Sequence, residues 1–284
     1  MMRRTFLERL HGRPTAFKVA MTVFLTIYCL LTLYLILVVM LSSFKTRSDL
    51  LHNIMGPPRS FTLVNFHKVI FVDGFLRYLL NSVVLTGASV ASLLFLSSLT
   101  AYGLSRYQFR GRNILQLYFL LGTMFPIQLG ILPIFVIIRS LHLTNNFLGL
   151  ILIYAANMSV AVFIMSKFFQ SLPYSIYESA KIDGAGEFRT FFQVMLPMGR
   201  PAVIAVAIIH FVLIWNDFYI PLVFLTRKAV RTLTLGVFFY MSDFLVNWHY
   251  VFTAVTVALL PVIILFFVLS EQLVAGLTAG SLKQ

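Results

Sequence analysis

Six stretches of this chain are long and apolar enough to cross a bilayer, and no other feature limits its fold as much. Charge-free runs extend from Val19 to Leu41, Tyr78 to Ser105, Asn113 to Ile138, Ser140 to Ser166 and Asn247 to Ser270. Another, from Pro201 to about Phe224, is broken only by Asp217. A membrane-crossing helix takes about 20 apolar residues. Lipid offers no partners to backbone N–H and C=O groups, so only helices and closed barrels can span it. Barrel strands alternate over about ten residues, and these runs do not alternate. The expected fold class is therefore an all-α membrane protein with six transmembrane helices. Only 11% of the residues are charged, against about 25% in a soluble domain, which excludes a globular enzyme with a large core.

The first span follows a basic leader (Arg3, Arg4, Arg9, Arg13). Its 23-residue apolar run, Val19 to Leu41, is long for a signal-peptide core. No small-residue cleavage site follows it, so an uncleaved first helix is expected. Lys and Arg placement then orients the chain. Thirteen fall in the amino-terminal arm, the loops after spans two and four, and the carboxyl end; nine fall on the opposite side. By the positive-inside bias, both termini and the loop after span four are expected in the cytoplasm.

The net charge of +13 sits in loops flanking apolar runs, where membrane lipid headgroups account for it. No basic stripe with interleaved aromatics exists elsewhere, so no nucleic-acid partner is expected. The single cysteine, Cys29, allows no internal disulfide, and no Cys/His metal set is present. There is no G-x-x-x-x-G-K-[ST] loop to cradle phosphates. The histidines (His11, His52, His67, His142, His210, His249) are scattered. A catalytic site is not expected.

The segment between spans four and five is more elaborate than a turn. Ser171 is placed to cap a helix with Pro173 in its first turn. Tyr174 to Ile182 continues it, with Ile176 and Ala180 on one face. Asp183-Gly184 ends it, because glycine adopts left-handed angles without penalty. Glu187 to Met195 reads as a second short helix, with Phe188, Phe191 and Phe192 as its apolar face. Leu196-Pro197 and Pro201 bend the chain back toward the membrane. Such a loop can lie on lipid or sit in a protein groove. The small residues Ser179, Ala180, Gly184, Ala185 and Gly186 favour the groove.

Two segments on the other side also exceed turns. Ser42 to Arg77 carries turn signals and Phe61, Phe66, Phe71 and Phe75. Leu233 to Met241 is too short to span and reads as an interfacial or partner-binding helix. Inside the spans, polar residues are few. His210 lies mid-span, where a histidine faces protein or a water-filled cavity. Asp217 sits near the end of span five, placed to snorkel or pair. Trp215 and Asn216 offer a stacking face and hydrogen bonds, or alternatively interfacial anchoring and interhelical polar contact. Asn157 in span four has similar standing. These five are the candidate substrate-pathway residues.

The loop resembles the EAA loop of the permease subunits of ATP-binding-cassette importers. That loop reads Glu-Ala-Ala, three residues, Gly, nine residues, Ile-x-Leu-Pro. Here Glu178-Ser179-Ala180 is followed after three residues by Gly184, and after nine more by Val194-Met195-Leu196-Pro197. Ser for Ala and Val for Ile are the departures. Trp215-Asn216-Asp217-Phe218 with Pro221-Leu222 is similar to the carbohydrate-importer branch. So are Asn81-Ser82, Ala101-Tyr102-Gly103-Leu104-Ser105-Arg106, and the tail from Gly276 through Thr278 to Gly280.

The resemblance implies the MetI-like type I importer fold in the bacterial plasma (inner) membrane. It implies a second permease subunit, two ATPase subunits that bind ATP and magnesium, and an extracellular solute-binding protein; no cofactor belongs to this chain. ATPase coupling would fall to Glu178, Ser179, Ala180, Asp183, Gly184, Gly186, Leu196 and Pro197. Gly276, Thr278 and Gly280 would contact the ATPases from the tail. The implied organisation is a cytoplasmic arm (1–18), a permease domain (19–272) and a cytoplasmic tail (273–284). Within the domain lie outer segments 42–77 and 226–246 and the coupling loop 167–201. The alternative class, an ATP-independent channel or secondary transporter, would carry midplane charges and inverted repeats; this sequence has few buried charges and no visible inverted repeat.

Overall fold

In a computed structural model of the chain, residues 15–242 and 247–279 are described. Among them every regular element is helical. The principal helices are α1 (Thr15–Ser42), α2 (Phe75–Arg106), α3 (Arg112–Gly122), α4 (Ile131–Ser140), α5 (Phe147–Ala156) and α6 (Ser159–Ser171). They continue with α7 (Tyr174–Ile182), α8 (Glu187–Thr190), α9 (Arg200–Asn216), α10 (Tyr219–Phe224), α11 (Leu233–Ser242) and α12 (Trp248–Ala279). Three segments cross membrane-length distances as single helices: Ala16–Ser42, Phe75–Arg106 and Trp248–Phe267. Three bent pairs bring the number of spans to six. The all-α, six-span expectation stands.

The expected spans three and four are not single rods. The third is α3 followed by Ile127–Ser140, bent by 96°, and the fourth is α5 followed by α6, bent by 48°. Pro126 supplies the first break: its extended backbone opens a 3-10 turn, Ile127–Gly130, ahead of α4. Asn157 and Met158 form the second. A gap between charges measures apolar length and is blind to such breaks.

The described residues form two compact units. The first comprises 15–73 and 247–257. None of the apolar window of α1 is buried. The segment after it is firmly folded. Lys45 is fully buried and its Nζ donates to the carbonyls of Asn53 (2.7 Å) and Ile54 (2.9 Å). Asn65 donates to the carbonyls of Ser43 (2.9 Å) and Lys45 (2.8 Å). Phe44 packs on Phe61 and Phe66, whereas Phe71 is exposed.

The second unit comprises 74–242 and 258–279 and is organised around α2. One end of α2 joins a cluster of Leu85, Ile153, Tyr154, Ile214, Phe224 and Leu235. The other end joins Leu93, Tyr102, Met165, Phe169, Phe191 and Met195. Ser82, Ser89, Ser97 and Ser98 are buried along the helix, where small side chains let neighbouring helices approach closely. The segment expected to be an interfacial or partner-binding helix, α11, packs through its first turn, where Leu233 and Leu235 are fully buried, while Phe238 and Met241 are exposed. Asn81 donates to the carbonyls of Ala229 (3.1 Å) and Arg231 (2.9 Å) just ahead of it. Ser82 Oγ accepts from the Leu233 N–H at 2.8 Å.

Candidate functional site

The loop between spans four and five folds as the residue pattern dictates, except at its Ser171 start and in its second helix, which is α-helical over Glu187–Thr190 and π-helical over Phe191–Met195. Ser171 does not cap α7. It is the last residue of α6, and its Oγ donates back to the Phe168 carbonyl at 2.8 Å. Pro173 takes the cap position with extended backbone and no side-chain bond. A serine two residues before a rigid proline remains in the preceding helix, because proline itself supplies the turn.

The far end of α7 is closed by glycine. Gly184 has φ +76°. The Ala185 N–H donates to the Ala180 carbonyl at 2.9 Å, and the Gly184 N–H to that of Lys181 at 3.0 Å. This is the two-bond closure in which the left-handed residue satisfies the helix's last carbonyls. Any side chain at Gly184 would be strained by its backbone angle, although no neighbour lies within 4 Å of its would-be Cβ.

The loop has a sewn face and a bare face. On the sewn side Ala180, Thr190, Phe191 and Met195 are buried. Thr190 Oγ1 donates to the Gly186 carbonyl at 3.1 Å. Gly199, at the bend, abuts Phe169 so closely that an added Cβ would lie 2.5 Å from its ring. That contact lets the chain turn by 75° into α9. On the bare side Ile182 is 85% and Phe188 75% exposed. Glu178, Ser179, Asp183, Gly184, Gly186 and Pro197 are exposed too, while Leu196 is half-buried. Glu178 has no hydrogen-bond or ion-pair partner among the described residues. The expected apolar face of Phe188, Phe191 and Phe192 is therefore divided: Phe191 enters the core while Phe188 and Phe192 point away. An unbroken α-helix would put these i, i+3 and i+4 positions on one face, but the α-helix ends at Thr190 and Phe191–Met195 continues as a π-helical turn, which changes the angular spacing of the side chains.

What sequence reasoning missed is Glu187. Its carboxylate accepts from Tyr102 Oη (2.9 Å) and Tyr177 Oη (3.0 Å) and pairs with Lys181 Nζ at 2.6 Å. Tyr107 interacts with the same carboxylate. Burial pushes this carboxyl up, but the bonds from Lys181, Tyr107, Tyr102 and Tyr177 outweigh burial and hold it down at about 2. Burial and the same bonding push Tyr107 and Tyr177 up to about 12. Four residues along α2, Arg106 is buried and donates to the carbonyls of Phe169 (2.8 Å) and Leu172 (3.3 Å), satisfying the end of α6. The Ala101–Arg106 motif thus serves both segments of the loop. The signal was its tyrosine and arginine four apart on one helix face.

The candidate pathway residues separate. Asn157 is exposed at the break in span four and lines an apolar cavity of about 560 Å³ with Phe125, Ile127 and Ile153. His210 is buried in α9, and its Nε2 has no partner among the described residues. Trp215 is buried, stacks on Phe211, and donates from Nε1 to the Ala258 carbonyl at 3.3 Å. Asn216 donates to the Val212 carbonyl in its own helix. Asp217 is fully engaged: it accepts from Tyr154 Oη at 2.9 Å and caps α10 through the Tyr219 N–H at 2.8 Å. Of the tail residues, Gly276 and Thr278 lie on α12, which continues to Ala279, and Gly280 lies outside the described residues. Among the described residues no cluster of His, Cys, Asp or Glu is arranged to hold a metal.

Residues 93–278 match the family described as binding-protein-dependent transport system inner membrane component. The chain belongs to this family. It is a multi-pass membrane permease, the non-catalytic part of an ABC importer, and the family identity implies a permease pair, ATPase subunits and a binding protein. The diacetylchitobiose uptake system permease protein NgcG of Streptomyces coelicolor is 34% identical over 86% of this permease and 82% of its own length. The arabinooligosaccharides transport system permease protein AraQ of Bacillus subtilis is 33% identical over 95% and 97%. A chain from the crystal structure of a bacterial ABC transporter that imports the acidic polysaccharide alginate superposes with a TM-score of 0.81 at 22% identity, covering 95% of this permease and 99% of that chain. That superposition carries the fold.

Proposed function

We propose that this permease moves a carbohydrate or related solute, delivered by an extracellular binding protein, across the bacterial inner membrane. Its partner in the membrane is a second, similar permease subunit. Two ATPase subunits, which bind ATP and magnesium, lie on the cytoplasmic side with both termini of this chain. The relatives with named substrates transport diacetylchitobiose and arabinooligosaccharides, which supports the solute class.

The observation that carries the reading is the bare face of α7. A nine-residue helix closed by Gly184, with Ile182 exposed and Glu178 unpartnered, suits a cleft on an ATPase subunit. There Glu178 meets a basic residue, and Ser179, Asp183 and Gly186 allow close approach. Ala180, Leu196 and Pro197 shape the helix and its return. Nucleotide acts by binding one arrangement of the ATPase pair better than another, and a rigid helix seated in a cleft passes that preference to the spans. Gly276, Thr278 and Gly280 make a second contact with the ATPases.

The solute passes the cavity at the break in span four, where Asn157 offers an amide; His210 offers a buried imidazole in α9, outside that cavity's lining. Trp215, Asn216 and Asp217 shape the pathway through the position of α9 and α10. The test is reconstitution with the partner permease and ATPase subunits. Sugar-loaded binding protein should stimulate ATP hydrolysis and solute uptake together, and Glu178→Lys should abolish uptake while membrane insertion persists. Normal uptake by Glu178→Lys would sink the coupling role.

A further inference from the structure

Coupling requires that a displacement of α7 reach the helices lining the pathway, and α7 is poorly attached to do so by packing alone. Ala180 is its single buried residue. Apolar contact of that extent slides at small cost, since dispersion attraction is weak per atom pair and non-directional. The directional attachment lies elsewhere. Glu187 stands beyond the Gly184 turn, in the first turn of α8, and its two carboxylate oxygens are shared between two elements. Oε2 accepts from Tyr102 of α2, while Oε1 accepts from Tyr177 and Lys181 of α7, all between 2.6 and 3.0 Å. Hydrogen bonds to an ionised acceptor are about twice as strong as neutral ones and more demanding in geometry.

The α2 side of this junction is rigid. The Tyr102 ring is buried, packs 5.3 Å from Phe191 and meets Tyr107 edge-on at 5.9 Å. From Tyr102, α2 runs without interruption to Phe75 through both apolar clusters of its unit.

We infer that Glu187 is the strut between the coupling helix and span two: it ties Tyr177 and Lys181 of α7 to Tyr102 of α2, so that movement of α7 is delivered to α2. Glu187 and Tyr102 are positioning residues for transport; they act through the helices and touch neither nucleotide nor solute. The inference rests on the coupling role proposed for α7. Loosening the strut lets the ATPases turn over without a matching movement of the spans.

The experiment is the ratio of solute moved to ATP hydrolysed in proteoliposomes holding the whole transporter with saturating loaded binding protein. Tyr102→Phe removes one hydroxyl and keeps the buried ring; Glu187→Gln keeps the shape and removes the charge. Each should insert and co-purify with ATPase subunits, yet lower the ratio by a factor of about two to ten, the scale of one hydrogen bond. The double variant should be no worse than Glu187→Gln alone, because both changes break one connection. Lys181→Arg, which keeps a donor cation, should retain the ratio. An unchanged ratio in Tyr102→Phe, or a loss of uptake and hydrolysis in strict proportion to lost complex, overturns the strut. If Glu187→Gln fails to fold, Tyr102→Phe decides alone. Failure of the unaltered permease to associate with ATPase subunits overturns the coupling role itself, and the strut with it.

Discussion

The two ends of α2 each hold a loop, and they hold it differently. At the Phe75 end, Asn81 and Ser82 bind backbone groups of the 229–233 segment with neutral hydrogen bonds, and Leu233 and Leu235 are fully buried. The first turn of the helix that follows is anchored inside its own subunit, while Phe238 and Met241 further along are exposed. At the Arg106 end, an ionised carboxylate and two phenols, Tyr102 and Tyr177, hold the loop, and Ile182 and Phe188 remain exposed. Ile182 and Phe188 of this second loop form the bare surface proposed above to meet an ATPase subunit. Neutral bonds and buried leucine suit a fixed joint, whereas a charged clasp leaves the apolar surface free for a partner.

The sharpest way to break this contrast is to change the bare face. Ile182→Asp should reduce uptake by roughly tenfold or more, as expected for losing over 1.4 kcal/mol of partner affinity. The thermal stability of the isolated subunit should stay unchanged. A matching fall in stability, followed in a detergent melting curve, would show that Ile182 serves the fold instead. The reverse outcome belongs to α11. Leu235→Ala should destabilise the subunit by about 2–5 kcal/mol, the usual loss for a fully buried leucine, visible in the same melting curve. Asn81→Ala should cost less, about 1–3 kcal/mol, by leaving the Ala229 and Arg231 carbonyls without their donor. Partial proteolysis should then open the 226–232 stretch first.

The smallest effect is that of pH on the clasp. Glu187 is held at about 2, below the roughly 4.3 of a free glutamate. Its contribution is therefore complete above about pH 4.3 and lost as pH falls toward 2. Tyr107 and Tyr177 stay protonated to about 12, and Lys181 and Arg106 supply the nearby positive charge. Hydrogen exchange of residues 174–195 should thus be level, apart from its intrinsic pH dependence, between about pH 5 and 9. Loss of protection at neutral pH would contradict the assignment.

The chain itself determined its solvent, its spans and the outline of its loop. Unbroken apolar length needs no tertiary context to exclude water, and a glycine after Asp183 ends a helix wherever that helix lies. The end of the Tyr174–Ile182 helix was legible to the residue for this reason, whereas its start was not. The breaks at Pro126 and Asn157 were visible as residue types but hidden to a count of charges. Only the tertiary structure decided that Asp217 is bound by Tyr154, that Leu233 and Leu235 are buried, and that Glu187 joins α7 to α2. The polar pairings join groups distant in sequence, 63 residues apart for Tyr154 and Asp217 and 85 for Tyr102 and Glu187. No local pattern encodes such a pairing, because whether a polar side chain meets water, lipid or another side chain depends on which helices come to stand beside it.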